Sequence, residues 1–213
     1  MRLSSPWFFL LLNAAIFQLG WWSLILFANQ ALVFALLLLC AQLLLVNPGY
    51  RSAIMAENAQ DEKSQRVEHS QLAEQNVKRT GYSMKTFNAV LIPAVIGIAL
   101  DAMLYLGGVY EFDSPSRLLP LWLCCLWGHF AATLGVSLAW LRDLPKWQQA
   151  LFGAVGGAGS YLAAFRLEAV AWPLGQSATF SLLILIWSLL LPLLSYCNFR
   201  LEWGANRPTK GFL

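Results

Sequence analysis

The sequence predicts an all-α protein, a polytopic bundle of six transmembrane helices in one integral membrane domain over residues 1–213, with both termini cytoplasmic. Three observations lead there. Of 213 residues, 58% are apolar and 12% charged, about half the charged share of an average soluble domain, so a water-soluble fold could not hide the apolar surface. Several windows of roughly 20 apolar residues match a bilayer core about 30 Å thick. The basic residues, finally, fall almost entirely on alternate connections between those windows, as the positive-inside rule requires.

The first window, Trp7 to Leu26, opens as a secretory leader does, with a basic residue and an apolar run. Asn13 and Gln18 interrupt that run, it continues through Trp21 and Trp22 to Phe27, and no good small-x-small cleavage site follows, so it is read as a retained helix. The second window, Gln30 to Val46, is separated from it only by a very tight turn near Ala28 and Asn29. A single re-entrant hairpin is the alternative for this pair. The remaining windows are Phe87 to Tyr110, Leu118 to Leu141, Trp147 to Phe165 and Ala178 to Cys197. Each must be helical, because backbone donors and acceptors in hydrocarbon have to be satisfied within their own segment. Cys40, Cys124, Cys125 and Cys197 all lie in these windows without the spacing of a disulfide framework, and read as small apolar fillers.

With the amino terminus inside, Arg2, Arg51, Lys63, Arg66, Lys78, Arg79, Lys85, Arg142, Lys146, Arg200, Arg207 and Lys210 are cytoplasmic, and only Arg117 and Arg166 lie outside. Tryptophan gives an independent check, since indoles collect at both interfaces. Trp7, Trp140, Trp147 and Trp203 fall at inner span ends, and Trp21, Trp22, Trp122 and Trp172 at or beyond outer ones.

Residues 48–86 form a charged cytoplasmic loop with six basic residues and the acids Glu57, Asp61, Glu62, Glu68 and Glu74. Glu62 with Arg66, and Glu74 with Lys78, stand at i,i+4 with the acid first, the favourable order on a helix. The loop reads as a charge-laced helix or a disordered segment. The sharper alternative is a lipid or protein contact through Lys78, Arg79 and Lys85, which border the third window.

Within the fifth window, GAVGGAG (Gly153 to Gly159) superficially suggests a phosphate loop, but no strand precedes it. Gly153 with Gly157, and Ala154 with Ala158, are instead small-xxx-small pairs that admit a neighbouring helix, which makes the fifth span the expected packing centre. His129 has Cys125 one turn before it. A metal site would need further ligands, and the other histidine, His69, is in the charged loop, so no metal or cofactor is expected.

GIALDAMLYLGG (Gly97 to Gly108) places Asp101 in an apolar run, where an ionised Asp costs about 2.5–3.5 kcal/mol at a helix centre. Counting rise per residue puts Asp101 about 21 Å above the cytoplasmic end, some 7 Å below Arg166, with His129 roughly level with Gln18. A polar layer of Gln18, Asp101, His129 and Arg166, with Glu168 at its mouth, follows as an expectation. Two readings stay open: Asp101 pairs with Arg166 or stays protonated and hydrogen-bonded within the bundle, or it marks a proton or substrate site together with His129 and Gln18.

NAAIFQLGWW (Asn13 to Trp22), the Asp101 stretch with Gly107, Gly108 and Val109, PLWLCCLWGHFAATLGVSLAWL (Pro120 to Leu141) and GAVGGAGSYLAAFRL (Gly153 to Leu167) together resemble a bacterial inner-membrane family catalogued as domain of unknown function 2878. The resemblance supports a multi-span fold and assigns no activity. Genes of that family often neighbour those for a cyclopropane-fatty-acid-synthase-like methyltransferase and flavin-dependent oxidoreductases, which implies a role in modifying or handling membrane lipids. The expected role is therefore a non-enzymatic inner-membrane accessory to lipid modification or envelope stress. Its expected partners are membrane lipids and a protein bound through the cytoplasmic loop, with no nucleic acid. The alternative is a small proton-linked transporter or lipid translocator using Asp101. An enzyme finds no support in motif spacing, and the two halves show no sequence echo of an inverted repeat.

Overall fold

A computed structural model describes residues 6–47, 70–113 and 118–203. Among them the regular structure is helical: α1 (Pro6–Phe27), α2 (Leu32–Val46), α3 (Ser70–Leu106), α4 (Leu121–Leu134), α5 (Lys146–Phe152), α6 (Ala158–Arg166) and α7 (Gln176–Trp203). There is no strand among the described residues, only an isolated antiparallel bridge between Glu111 and Ala171. Among the described residues, three helical stretches are long and apolar enough to cross a membrane, Trp7–Val46, Met84–Leu106 and Gln176–Leu201.

The first of these stretches is a hairpin. A 3-10 turn over Ala28–Ala31, with Ala28 at φ +46°, reverses the chain at the position where the sequence predicts a tight turn. Phe9 and Ile16 of α1 then pack with Leu45 of α2, so the two arms run antiparallel. At about 1.5 Å per residue, the 22 residues of α1 span roughly 33 Å and the 15 of α2 roughly 22 Å.

Helix α3 begins well before the apolar window, at Ser70. The second half of the charged segment, including Glu74 and Lys78, is therefore continuous with a long helix. Glu62 with Arg66, and His69, lie outside the described residues. Pro93 stays inside α3 and Pro192 inside α7; neighbouring helices can satisfy the carbonyls such prolines free.

The fourth window departs most from expectation. Its α-helix has only 14 residues and ends at Gly135, after which turns and a 3-10 segment over Ala139–Asp143 carry the chain on. Irregular backbone there is tolerated because protein covers it: Ser137 Oγ donates to Asn13 Oδ1 (2.8 Å), and Asn13 Nδ2 donates to the Ala132 carbonyl (3.4 Å). The fifth window is one continuous run in which Gly153–Gly157 widen to a π-helix between α5 and α6.

Packing is shared between α4, which contacts α1, α2 and α3, and α7, which contacts α3 and the fifth run; the fifth run packs chiefly on α7. The expectation of a packing centre in the fifth span is corrected accordingly. Within that run, Gly153 lies against the Trp187 backbone carbonyl and Gly157 against the Trp187 indole, Ala158 is fully buried, and Ala154 is partly exposed. Gly97 of α3 receives the Trp127 indole in the same way. These two glycine notches allow Trp127 and Trp187 to stack, ring centroids 5.6 Å apart and 4° from parallel, with Phe130 edge-on to both.

Candidate functional site: a buried carboxylate behind an aromatic groove

Asp101 is 1% exposed, and three donors converge on its two oxygens. Tyr110 Oη donates to Oδ1 (2.6 Å), Trp127 Nε1 to Oδ2 (2.7 Å), and Tyr161 Oη lies 2.6 Å from Oδ2 and 2.8 Å from Oδ1. An ionised carboxylate is acceptor-only and suits three donors; a protonated one could donate to either phenol, whose oxygen also accepts. Asp101 is thus hydrogen-bonded whatever its charge, which answers the cost of placing it in an apolar run.

Two helix ends build this cluster. At the end of α3, Gly108 adopts φ +70°, while its N–H donates to the Tyr105 carbonyl (3.0 Å) and that of Val109 to the Leu104 carbonyl (3.0 Å). This is the hydrogen-bond pattern of a Schellman cap, for which a left-handed glycine is the usual residue. It turns the chain so that Tyr110, nine residues on, folds back onto Asp101. At the end of α6, Glu168 takes φ +58°, with Glu168 N–H donating to the Phe165 carbonyl (3.1 Å) and Ala169 N–H to the Ala164 carbonyl (3.0 Å). The two turned segments are joined where Glu111 and Ala171 exchange backbone hydrogen bonds of 2.9 and 2.8 Å. Glu168, expected at the mouth of a polar layer, is exposed and serves as the left-handed residue of this cap.

The other predicted site residues separate from Asp101. The ion pair with Arg166 is not formed: Arg166 is exposed, and the carboxylate is occupied by the phenols and the indole. His129 is fully buried but belongs to another network. Its Nε2 is 2.9 Å from the Ala35 carbonyl, its Nδ1 is 2.7 Å from Gln42 Oε1, and Gln42 Nε2 donates to the His129 carbonyl (3.2 Å). A carbonyl can only accept, so Nε2 carries a proton; Gln42 Oε1 likewise only accepts, so the bond at Nδ1 requires either a second ring proton or the Gln42 amide turned over. Trp127 and His129 are two residues apart, hence about 200° apart around α4; one faces Asp101 and the other the α1–α2 hairpin. Gly20 of α1 completes that clamp, since a Cβ there would stand 2.9 Å from the imidazole. His129→Ala is expected to cost about 1–3 kcal/mol by stranding Gln42 and the Ala35 carbonyl, read as a lower unfolding midpoint in detergent.

Gln18 lies on a groove. An open cavity of about 520 Å³ is walled by Phe17, Gln18 and Trp21 of α1, Leu126, Trp127 and Phe130 of α4, Gly156 of the π segment, Ser160 and Tyr161 of α6, and Trp187 and Leu191 of α7. That volume is ordinary for a small-molecule site, roughly 300–1,000 Å³. Tyr161 and Trp127 are shared: each lines the groove on one side and holds Asp101 on the other. The structure therefore brings Gln18 and the Asp101 cluster to one groove and leaves His129 out. Sequence reasoning missed Tyr110, Tyr161, Trp127 and Gln42, because an aromatic or amide residue in an apolar window carries no sign of which way it faces. The paired glycines after α3 are the one local signal for Tyr110.

A family model described as "Protein of unknown function (DUF2878)" matches residues 72–193, more than half of the chain. The chain belongs to this family. The match spans every member of the Asp101 cluster of this DUF2878 protein, as well as His129 and Trp187; α1 and α2 lie before it. Comparison with curated proteins and with solved structures found no match.

Proposed function

We propose that this DUF2878 protein is a six-span bacterial inner-membrane protein with both termini cytoplasmic. It acts as a non-enzymatic accessory to membrane-lipid modification or envelope stress by holding an apolar ligand in the groove between α1 and α6. The observation that carries this reading is the groove itself, a cavity of about 520 Å³ with aromatic and aliphatic walls. The outward apolar side chains of the helices, among them Leu37, Val95 and Leu189, and the one-sided distribution of Lys and Arg support the membrane placement. A protein partner would dock on the cytoplasmic segment 48–86, whose second half extends α3 as a helix from Ser70.

Gly156 provides the test, because it lines the groove and a Cβ added there meets nothing within 4 Å. Gly156→Leu should project a side chain into the groove and narrow it, its Cβ meeting no neighbour. Lipid extracts of the purified wild type are expected to contain an enriched apolar species that is depleted several-fold in Gly156→Leu at unchanged melting temperature. Identical extracts would remove the groove from the function.

A second reading, a proton-linked translocator, rests on Tyr161 joining Asp101 to the same groove. It requires pH-dependent flux in vesicles that is lost in Asp101→Asn.

A further inference from the structure

We infer that Arg200, near the cytoplasmic end of α7, holds the phosphate of an anionic membrane lipid, and that Tyr196 positions its guanidinium to do so. The inference rests on the membrane placement proposed above and is independent of the groove.

The fold sets Arg200 at head-group height on the lipid-facing side of the bundle. The Asn198 amide donates to the Ala89 carbonyl (3.0 Å), which ties α7 to α3 near their cytoplasmic ends. Arg200 stands two residues beyond that bond and Lys85 four, roughly 3 and 6 Å of helix rise, so the two cations lie at nearly one level. Two residues also turn a helix by about 200°, so Arg200 leaves α7 on the side away from α3. Leu185, Leu189, Leu193 and Tyr196 are exposed, and with Arg200 they fall within about 80° of one another around the helix. This apolar stripe lies against acyl chains and ends at a guanidinium.

Tyr196 separates Arg200 from a long cation that simply reaches for water. Arg200 Nε donates to Tyr196 Oη (2.8 Å), and its Cζ stands 5.4 Å from the Tyr196 ring centroid. A guanidinium has five N–H groups, so four are left, in the fork geometry that matches two oxygens of a phosphate. The neighbouring cation Lys146 is likewise held by an uncharged group, its Nζ donating to Gln149 Oε1 (3.2 Å).

Charge decides the class of lipid. The cytoplasmic segments carry twelve Lys and Arg against seven Asp and Glu, and the outer segments two against three. Arg200, Lys85 and Lys146 are all exposed. A zwitterionic lipid brings its own cation beside the phosphate, in competition with these side chains, whereas an anionic phosphodiester brings the acceptor alone. Each basic residue near such a surface is worth about fivefold in binding.

The test titrates two probes with the same chains, dioleoylphosphatidylglycerol and dioleoylphosphatidylcholine, into the detergent-purified full chain, read by native mass spectrometry. The wild type is expected to prefer the phosphatidylglycerol by about tenfold, and Arg200→Gln to reduce that preference about fivefold. Tyr196→Phe keeps every charge and should still weaken the preference, because the guanidinium is no longer held; a cation that merely reaches water would not respond. Arg166→Gln, exposed at the other end of the bundle, should leave the preference as it is. Equal binding of the two lipids by the wild type overturns the inference while the membrane placement stands. A preference that survives Arg200→Gln removes the site from α7, and one lost in Arg200→Gln but untouched by Tyr196→Phe removes Tyr196 from it. If neither lipid binds, the membrane placement fails and the inference falls with it.

Discussion

Asp101→Ala is expected to cost about 2–4 kcal/mol of stability, the largest effect of any single polar substitution in this protein. The change removes the common acceptor of Tyr110, Tyr161 and Trp127 and leaves two phenols and an indole N–H without it. Interhelical hydrogen bonds in membranes average about 0.6 kcal/mol and reach about 1.7, so three of them bracket that cost at about 2 to 5 kcal/mol. Asp101→Asn should cost less, since one carbonyl oxygen still accepts while the amide places a donor against a donor. Equilibrium unfolding in mixed micelles measures both. A cycle pairing Asp101→Ala with Tyr161→Phe should be strongly non-additive, because the two share one hydrogen bond. The cycle with Arg166→Gln should be additive within about 0.5 kcal/mol. Coupling to Arg166 in place of Tyr161 would contradict the geometry. A neutral Asp101→Ala that nonetheless abolished pH-dependent flux would move the carboxylate from architecture to transport.

The second large effect lies in the π segment, where three neighbouring glycines should respond in different ways. A methyl on Gly153 would overlap the Trp187 backbone carbonyl, which cannot swing aside, and on Gly157 it would overlap the Trp187 ring. Gly153→Ala is expected to cost about 3 kcal/mol, at the upper end of ordinary overpacking. Gly157→Ala should cost somewhat less, because an indole can shift, though only by giving up its stack on Trp127. At Gly156 the added carbon meets open space, so Gly156→Ala should be neutral or stabilising by up to about 1 kcal/mol through lower chain entropy in the unfolded state. Three melting curves separate these outcomes. Equal losses at all three positions would mean that the segment needs glycine for its backbone and not for the close approach of α7.

Trp187 explains why that contrast could not be written from the chain alone. The small-residue spacing of Gly153, Gly157, Ala154 and Ala158 indicates that something approaches closely, but not which helix. The same holds for Gly97, which has no small partner at i+4 and receives Trp127. His129 and Asp101 stand at compatible heights along their helices, and height was all that rise per residue could supply. Azimuth separates them: Trp127 takes the face of α4 toward α3, and His129 the face toward α1 and α2. Arg166 is close to Asp101 in height and absent from its shell for the same reason.

What the sequence determined by itself is whatever depends on composition and local backbone chemistry. The abundance of apolar residues and the scarcity of charge set helices of membrane length. The turn near Ala28 and Asn29 was placed from the sequence, whereas the third window was drawn through Gly107 and Gly108 to Tyr110, and that left-handed Gly108 ends α3 is seen only in the fold. The early end of α4 at Gly135, the partners of Asp101, the capture of His129 by Gln42 and the groove between α1 and α6 were decided only in the folded chain. Each of these depends on the rotation of one helix about its own axis relative to another. An apolar window is nearly uniform around its circumference, so nothing in its pattern distinguishes an inward face from a lipid-facing one, and the choice is made by which side chains interlock.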